Sequence, residues 1–275
     1  MHVRLLGTGA ADGWPNPWCA CASCADARAR GSSRRQTSVL VDSAVLLELS
    51  PALPPDGVSL AGVRTVLVTH AHPDHCAPAA LLWRHWALPH ERLTIAGPAA
   101  VLEECRPWLA PGSPVDLVEA VPGATLRCSG YEVRVLPADH EVPTVLYDLT
   151  GPDGGRLLYA TDTGPLPAPA VAAVAGAEFD VVLLEETFGD RLDHGTGHLD
   201  LATFPAQLER LRAVGAVTAG TDVVAVHLGH HNPPEAVLTA RLAAAGARLL
   251  PDGAELRTGA YRRRPWNSDA SAAPA

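Results

Sequence analysis

The chain has 275 residues, 47% of them hydrophobic, which is enough to bury a large core and too apolar for a wholly disordered protein. Its apolar runs are shorter than the roughly 18–20 residues of a membrane helix, and the N-terminus lacks a secretory signal pattern, so we expect a cytoplasmic protein without a membrane partner. The net charge of −9, without a broad basic stripe, argues against nucleic acid as the main partner.

Short strands and helices alternate along the predicted secondary structure. We expect strands at residues 3–6, 37–41, 45–49, 63–69, 93–97, 131–136, 145–149, 156–160, 180–184, 223–226, 248–250 and 255–257. We expect helices at residues 77–87, 98–109, 167–175, 201–213 and 234–245, and a loop at residues 13–24. This order predicts a layered α/β sandwich in one domain, residues 1–260, followed by a flexible tail over residues 261–275.

The strongest motif is the run His-Ala-His-Pro-Asp-His at residues 70–75, which follows a strand of the buried type. Side chains two residues apart in extended chain face the same side, so His70 and His72 can hold one ion together. Asp74 and His75 lie at the turn into the next predicted helix, where they can serve a second ion. Imidazole and carboxylate ligands suit Zn, Mn or Fe.

Three further polar residues follow predicted strands: His140 in PADH, Asp162 in ATDT and His227 in VAVH. Each alone would be interpreted as a structural polar residue, because such residues are common at strand ends. Together they supply the three further ligands that a site for two ions needs. The sequence therefore predicts two divalent metal ions, Zn or Mn or else Fe, in one active site.

Three cysteines, Cys19, Cys21 and Cys24, lie within six residues near the N-terminus. Such a cluster in a chain without a secretory signal favours a metal over disulfides, and structural Zn takes four ligands. His230 in HLGHH is the candidate for the fourth ligand, with neighbouring His231 as the alternative. Free or redox-active cysteines are the other interpretation.

The histidine and aspartate pattern resembles the metallo-β-lactamase superfamily, in which HxHxDH is followed by a His, an Asp and a final His. The resemblance implies a four-layer αββα sandwich with two metals at one edge, between the sheets. The metal ligands that it implies are His70, His72 and His140 for one ion, Asp74, His75 and His227 for the other, and Asp162 as the bridge between them.

The CxCxxC loop narrows the resemblance. Together with a GTGxxxGxP-like start and HxxH near the C-terminus, it is similar to the carbon–phosphorus lyase accessory phosphodiesterase family. This implies hydrolysis of a small phosphodiester, such as a phosphoribosyl 1,2-cyclic phosphate, by attack of a hydroxide that bridges the metals. Asp74 would orient that hydroxide or take its proton, and His198 would protonate the leaving alkoxide. The other interpretation of His198 is a helix cap or a surface residue.

Other functions stay open. A pyrroloquinoline quinone biosynthesis protein of this fold has a similar cysteine loop, and an iron-dependent oxygenase would use the same scaffold. A metal-binding accessory protein without catalysis is a second alternative. A tRNA 3′-processing endonuclease shares the metal motif, but the chain is acidic and we find no inserted basic arm for tRNA. A homodimer is open as the oligomeric state, because hydrolases of this fold often pair.

A few residues are weaker candidates for roles around the metals. Thr187 is a candidate for the pocket lining, and Glu185 or Glu186 for a partner of the ligand histidines. Arg34 and Arg35 could meet a substrate phosphate, although a solvated pair is the simpler interpretation.

Overall fold

The computed structural model describes residues 1–52, 54–55 and 57–259, and the predicted C-terminal tail lies outside them. The strands of this part of the chain are β1 (His2–Gly7), β2 (Ser38–Val41), β3 (Val45–Leu47), β4 (Thr65–Leu67), β5 (Leu93–Gly97), β6 (Val115–Glu119), β7 (Thr125–Cys128), β8 (Tyr131–Pro137), β9 (Val145–Thr150), β10 (Arg156–Ala160), β11 (Val181–Glu185), β12 (Asp222–Val226), β13 (Arg248–Leu249) and β14 (Glu255–Arg257). They form two sheets of seven strands, in the orders β14-β1-β2-β3-β4-β5-β6 and β13-β12-β11-β10-β9-β8-β7.

The helices lie between the strands in sequence and outside the sheets in space. They are α1 (Ala22–Ala29), α2 (Ala80–Ala87), α3 (Ala99–Cys105), α4 (Ala168–Ala173), α5 (Thr203–Ala213) and α6 (Glu235–Ala244), with one 3₁₀ turn at Arg106–Trp108. Within the described ranges, no helix is both long enough and apolar enough to cross a bilayer.

Three apolar clusters separate four layers. The central cluster joins inward-facing residues of both sheets, for example Val3 and Val39 of the first sheet with Val133 and Tyr147 of the second. A second cluster packs the outer face of the first sheet against α2 and α3, and a third packs the outer face of the second sheet against the remaining helices. The layers confirm the predicted αββα sandwich, and burial of these side chains, at about 1.5–3 kcal/mol each, supplies its main stabilisation.

Strand direction explains why the candidate ligands meet. Strands β3 to β6 run parallel in the first sheet, and β10 to β13 run parallel in the second. Strand β8 is antiparallel to β9, which is antiparallel to β10, so β8 and β10 also run the same way. The segments that follow β4, β8, β10 and β12 carry His70, His140, Asp162 and His227, and they open at one edge of the sandwich.

Three elements were not predicted from the sequence: α1, β6 and β7. Helix α1 begins inside the predicted loop, because the thiol of Cys21 accepts a hydrogen bond from the backbone of Cys24 and caps the helix. Cysteine is not among the usual capping residues, so the pattern gave no start signal. Strands β6 and β7 are only partly buried and therefore carry mixed polar sequences. The predicted helix at residues 98–109 is shorter in the structure. Helix α3 ends at Cys105, because Pro107 has no N–H to continue the helical hydrogen bonds.

Candidate metal centre and active site

Asp162 lies at the centre of the cluster of predicted ligands. Its carboxylate oxygens lie 3.1 Å from Nε2 of His75 and 3.3 Å from Nε2 of His227. The same carboxylate lies 3.9 Å from Nε2 of His70 and 4.0 Å from Nε2 of His140. A carboxylate placed between two pairs of imidazoles has the position that a bridging ligand requires.

Two groups of ligand atoms surround this carboxylate. In each group the atoms lie within 4.8 Å of one another: His70, His72 and His140 form the first group, and Asp74, His75 and His227 form the second. The structure thus brings together the two sets that the sequence predicted as separate ion sites. Metal binding by these seven residues stays a prediction, which we test below against the chemistry of the donor atoms.

The hydrogen bonds behind His70 fix which ring nitrogen faces the cluster. The hydroxyl of Thr69 donates to Glu48 at 2.8 Å and has a single proton, so it accepts from Nδ1 of His70 at 3.0 Å. Nε2 of His70 therefore carries the lone pair, and it is buried without a hydrogen-bond partner among the described residues. Burial lowers the pKa of His70 to about 2, which keeps the ring neutral.

Two more histidines are held in the same tautomer. Nδ1 of His140 donates to the carbonyl of Gly197 at 3.0 Å. Nδ1 of His227 donates at 2.9 Å to the hydroxyl of Thr187, whose own proton goes to Glu185. Both rings therefore present the Nε2 lone pair to the cluster. His75 differs, because its Nδ1 lies 3.4 Å from a carboxylate oxygen of Glu48 and forms no hydrogen bond within the described residues.

Lone pairs and carboxylate oxygens that face one another across 3–4 Å repel unless a cation or protons lie between them. Nε2 of His75 lies 3.3 Å from Nε2 of His227, and Nε2 of His140 lies 3.4 Å from Nδ1 of His72. Imidazoles whose far nitrogen is held by a hydroxyl or a carbonyl are typical of transition-metal ligands. The donor set therefore fits two divalent ions.

Three of the seven described residues other than glycine that have a positive φ lie at this edge. Asp162, His227 and Glu48 have φ values of 56°, 56° and 69°, a region that residues other than glycine seldom occupy. Such conformations cost of order 1–3 kcal/mol each and persist where the surrounding contacts hold them. All three residues follow the last residue of a strand by one or two positions, so the strain turns their side chains toward the cluster.

His198 lies beside the ligands and is held by a buried carboxylate. Its Nδ1 lies 3.0 Å and 3.1 Å from the two carboxylate oxygens of Glu185, and its ring centre lies 4.7 Å from that of His140. Burial alone would lower the pKa of His198, but the negative charge of Glu185 outweighs it and raises the pKa to about 9. His198 is therefore protonated at neutral pH, with Nε2–H available as a donor.

Glu185 also resolves the alternative between the two neighbouring glutamates. It accepts hydrogen bonds from Thr187 and from the backbone of Thr163 and Leu199, so one carboxylate orders three segments around the centre. Glu186 instead accepts from the backbone of Gly189 at 3.0 Å and contacts no ligand histidine in the hydrogen-bond pattern of the described residues.

Three residues behind the candidate ligands, Glu48, Thr69 and Gly197, were missed by sequence reasoning. Glu48 follows β3 and looks like one polar residue at a strand end, and Gly197 acts only through its carbonyl oxygen. Only Glu48 could have been found from the sequence. It directly follows an apolar strand of the buried type, and a buried carboxylate there needs a partner for its charge.

The cysteine cluster forms as predicted. The sulfur atoms of Cys19, Cys21 and Cys24 lie within 4.8 Å of one another. Burial acts to raise the pKa of Cys21, but hydrogen bonds from Cys24 and Cys19 outweigh it and lower that pKa, whereas burial raises the pKa of Cys24 to about 12. The sulfur of Cys21 lies 3.7 Å from the carbonyl oxygen of His230, so the backbone of the predicted fourth ligand lies beside the cluster. His230 as a Zn ligand stays a prediction.

The arginine pair after α1 has a structural role at its first member. Arg34 is buried and donates to Thr8 at 2.8 Å and to the carbonyl of Leu250 at 2.6 Å. Arg35 is partly exposed, and its guanidinium lies 3.6 Å from Asp252. The interpretation as a solvated pair is therefore wrong for Arg34, which ties the N-terminal loop to the end of the fold.

Comparisons with known proteins agree with this geometry. A family model described as the β-lactamase superfamily domain matches residues 37–251. Ribonuclease Z of Mycobacterium sp. (strain KMS) is 30% identical over 205 residues, which cover 64% of this chain and 67% of that enzyme. Zn²⁺-bound PqqB from Methylobacterium extorquens superposes with a TM-score of 0.73 at 22% identity, over 94% of this chain and 100% of that one. A diphosphatase of the PhnP family superposes with a TM-score of 0.71 at 20% identity, over 93% and 97%.

Proposed function

Because the chain belongs to the β-lactamase superfamily domain family, we propose that it is a binuclear metal-dependent phosphodiesterase. Its proposed substrate is a small, cyclic phosphodiester such as a phosphoribosyl 1,2-cyclic phosphate. Family membership and the paired histidine and aspartate groups support a metal-dependent hydrolase, and the substrate class is our finer inference.

The observation that carries this proposal is the pairing of His198 with Glu185 beside the ligand cluster. Hydrolysis of a phosphodiester expels an alkoxide, which is a poor leaving group unless it receives a proton. His198 is protonated at neutral pH and lies next to His140, so it can deliver that proton at the site of bond cleavage. A protein that only stored or carried metal would have no use for a protonated histidine held in this way.

The chain's own residues account for the rest of the reaction. Two divalent ions, when bound, supply an activated water and neutralise the charge on the phosphate oxygens. Asp74 lies 3.5 Å from Nε2 of His227 and can orient the attacking water. His198 donates its proton from Nε2 to the leaving oxygen, while Glu185 stabilises the charged ring at Nδ1.

The similarity to a PhnP-family diphosphatase supports phosphate chemistry on this scaffold. The net charge of −9 supports a small substrate, because an acidic surface repels a long polyanion. The three clustered thiols support one structural Zn in addition to the two active-site ions, with His230 as the proposed fourth ligand.

Endonucleolytic cleavage of RNA is the second candidate, and the similarity to ribonuclease Z favours it. The same two ions and the same acid would serve both reactions, so the metal centre does not separate them. A direct comparison does: turnover of a precursor tRNA against turnover of a cyclic ribose phosphate, at equal enzyme concentration. We expect the cyclic phosphate to be the better substrate.

The first test combines elemental analysis with hydrolysis of bis(p-nitrophenyl) phosphate. We expect about three metal ions per chain in the wild type, consistent with two catalytic ions and one structural ion. Asp162→Ala should lose active-site metal and turnover, whereas Asp116→Asn, an exposed carboxylate on β6, should retain both. Cys21→Ser should lose one Zn and mainly stability.

Other outcomes would support other functions. One active-site ion per chain or none, with no turnover after addition of Mn or Zn, would contradict the phosphodiesterase. Iron in the freshly purified protein together with oxygen-dependent turnover would favour an oxygenase. Full metal loading without turnover of any phosphodiester would favour an accessory protein.

A further inference from the structure

One carboxylate outside the active site contacts the histidine that we propose as the fourth ligand of the structural Zn. Asp12 lies in the loop after β1, and its Oδ2 contacts Nδ1 of His230. The same Oδ2 accepts a hydrogen bond from the side chain of Asn16 at 2.7 Å. Asp12 therefore bridges the segment before the cysteines and the segment after β12.

Asn16 connects Asp12 to the first cysteine of the cluster. Its backbone carbonyl accepts from the backbone of Cys19 at 3.2 Å and from the guanidinium of Arg28 at 2.6 Å. Arg28 also donates to the carbonyl of Cys19 at 2.7 Å. The position of the first thiol is thus set by a chain of contacts that begins at Asp12.

The other side of this bridge is the segment that carries His227. Leu228 donates from its backbone to Thr8 at 2.9 Å and accepts from Ala10 at 3.1 Å, so residues 8–10 and 228 are held side by side. The sulfur of Cys21 lies 3.7 Å from the carbonyl oxygen of His230. The three thiols and the backbone of His230 therefore lie where two loops are already joined.

We propose that Asp12 is a positioning residue for the structural Zn: it holds Nδ1 of His230 and so leaves Nε2 of that ring free to bind the ion that the three cysteine sulfurs hold. A carboxylate behind a ligand histidine fixes the ring orientation and the tautomer and strengthens the metal bond. This inference rests on the structural Zn of the proposed function. It is independent of the phosphodiesterase activity.

His231, the alternative fourth ligand, is engaged elsewhere. Its Nε2 lies 3.2 Å from the guanidinium of Arg191 and must accept from it, because an arginine has no lone pair to offer. Its ring stacks on Phe188, with ring centres 5.7 Å apart. Because Arg191 and Phe188 occupy His231, we assign the fourth Zn ligand to His230.

The test measures how firmly the thiolate site holds its ion. Each variant is loaded with Co²⁺, whose thiolate charge-transfer bands report only the cysteine site, and the rate at which a chelator removes the bands is followed. We expect Asp12→Ala to release the ion about 10–100 times faster than the wild type. Asp12→Asn keeps an acceptor for Nδ1 without the charge and should release it at an intermediate rate.

Asp26→Asn is the matched control. Asp26 lies on α1, pairs with Arg30 at 3.0 Å and has a similar exposed side-chain fraction, 33% against 35% for Asp12. It should release the ion at the wild-type rate, and so should His231→Ala. His230→Ala should abolish tight binding.

Three results would overturn the inference. Equal release rates for Asp12→Ala and Asp26→Asn would show that Asp12 does not position the ligand. Retention of the ion by His230→Ala would show that His230 is not the fourth ligand. Absence of thiolate bands in the wild type would remove the structural Zn itself, while Asp162→Ala and the turnover assay would still decide the active-site proposal separately.

Discussion

His198 owes its protonation to a single buried partner. The Glu185 carboxylate is fully buried and accepts three further hydrogen bonds, from Thr163, Thr187 and Leu199, so it stays close to the imidazole instead of turning into solvent. A buried charge is costly unless it is paired, and His198 supplies the opposite charge. The imidazole and its partner are therefore one unit at the residue scale, and the proposed acid role of His198 can be tested separately from metal binding.

We predict that His198→Ala lowers turnover by about 10²–10⁴ for diesters with alkyl leaving groups, because their alkoxides need a proton. Bis(p-nitrophenyl) phosphate has a good leaving group and should lose far less. Steady-state kinetics on the two substrate types, with His90→Ala on the surface as the control, measure the difference. An equal loss on both types would contradict the acid role.

Glu186 is a buried carboxyl that the proposed reaction does not use. Its second carboxylate oxygen has no hydrogen-bond partner within the described residues, and the negative charges of Glu185 and Asp200 lie nearby. Burial is the main cause that raises the pKa of Glu186 to about 8 from an ordinary value of 4.5. The side chain is therefore mostly protonated at neutral pH.

This shift predicts a stability difference that depends on pH. The folded state binds the Glu186 proton more tightly than the unfolded state does, so the free energy of unfolding falls as the pH rises from about 4.5 to about 8. Glu186→Gln removes that dependence. At high pH its free energy of unfolding should exceed that of the wild type by about 2 kcal/mol or more, and the difference should shrink toward acid pH. Urea unfolding at several pH values measures it.

The control is Glu209→Gln, which changes an exposed side chain on α5. It should follow the wild type across the pH range. A constant difference between Glu186→Gln and the wild type at all pH values would contradict the raised pKa.

At the scale of elements, the active-site loops fit together without spare room. Gly164 follows Asp162, and a Cβ built there would overlap the carbonyl oxygen of Thr196. Its backbone N–H donates to the carbonyl of Asp139 at 2.8 Å. The segment after β10 thus packs directly on the segments that carry His140 and His198.

We therefore predict that Gly164→Ala pushes the 195–198 loop away and costs about 1–3 kcal/mol of stability, the usual range for overpacking. Turnover should fall as well, because His198 and the Gly197 carbonyl move together. Gly220→Ala is the control, since its nearest neighbour to an added Cβ is a hydroxyl at 3.7 Å. Thermal unfolding and turnover of both variants give the result, and wild-type values for Gly164→Ala would refute the close fit.

Some elements and candidate ligands could be predicted from the sequence, and others could not. The 70–75 run was recognisable because its successive candidate ligands are one or two residues apart, within reach of local geometry. Glu48 and Gly197 act on His75 and His140 from segments far away in sequence, so only the folded chain shows their roles. Helix α1 was hidden because a thiol caps it, a role the sequence pattern assigns to oxygen.

At the scale of the whole molecule, the ligand cluster joins the two sheets. His70 follows a strand of the first sheet, and His140, Asp162 and His227 follow strands of the second. Without cations, buried lone pairs and carboxylates oppose one another at the place where the sheets meet. Ions bound there would therefore stabilise the sandwich as well as serve catalysis, since a ligand that binds only the folded state stabilises it.

Removal of the metal should therefore lower the unfolding temperature. At about 1,000 times the dissociation constant a bound ion contributes about 4 kcal/mol, which for a chain of this size corresponds to roughly 8–16 °C. We expect the chelated protein to regain this difference with Zn²⁺ or Mn²⁺ and not with Ca²⁺, which prefers oxygen ligands. Asp162→Ala should respond weakly, whereas Cys21→Ser should keep the response of the active-site ions. Equal unfolding temperatures for the chelated and reloaded wild type would show that the two sheets hold together without the ions.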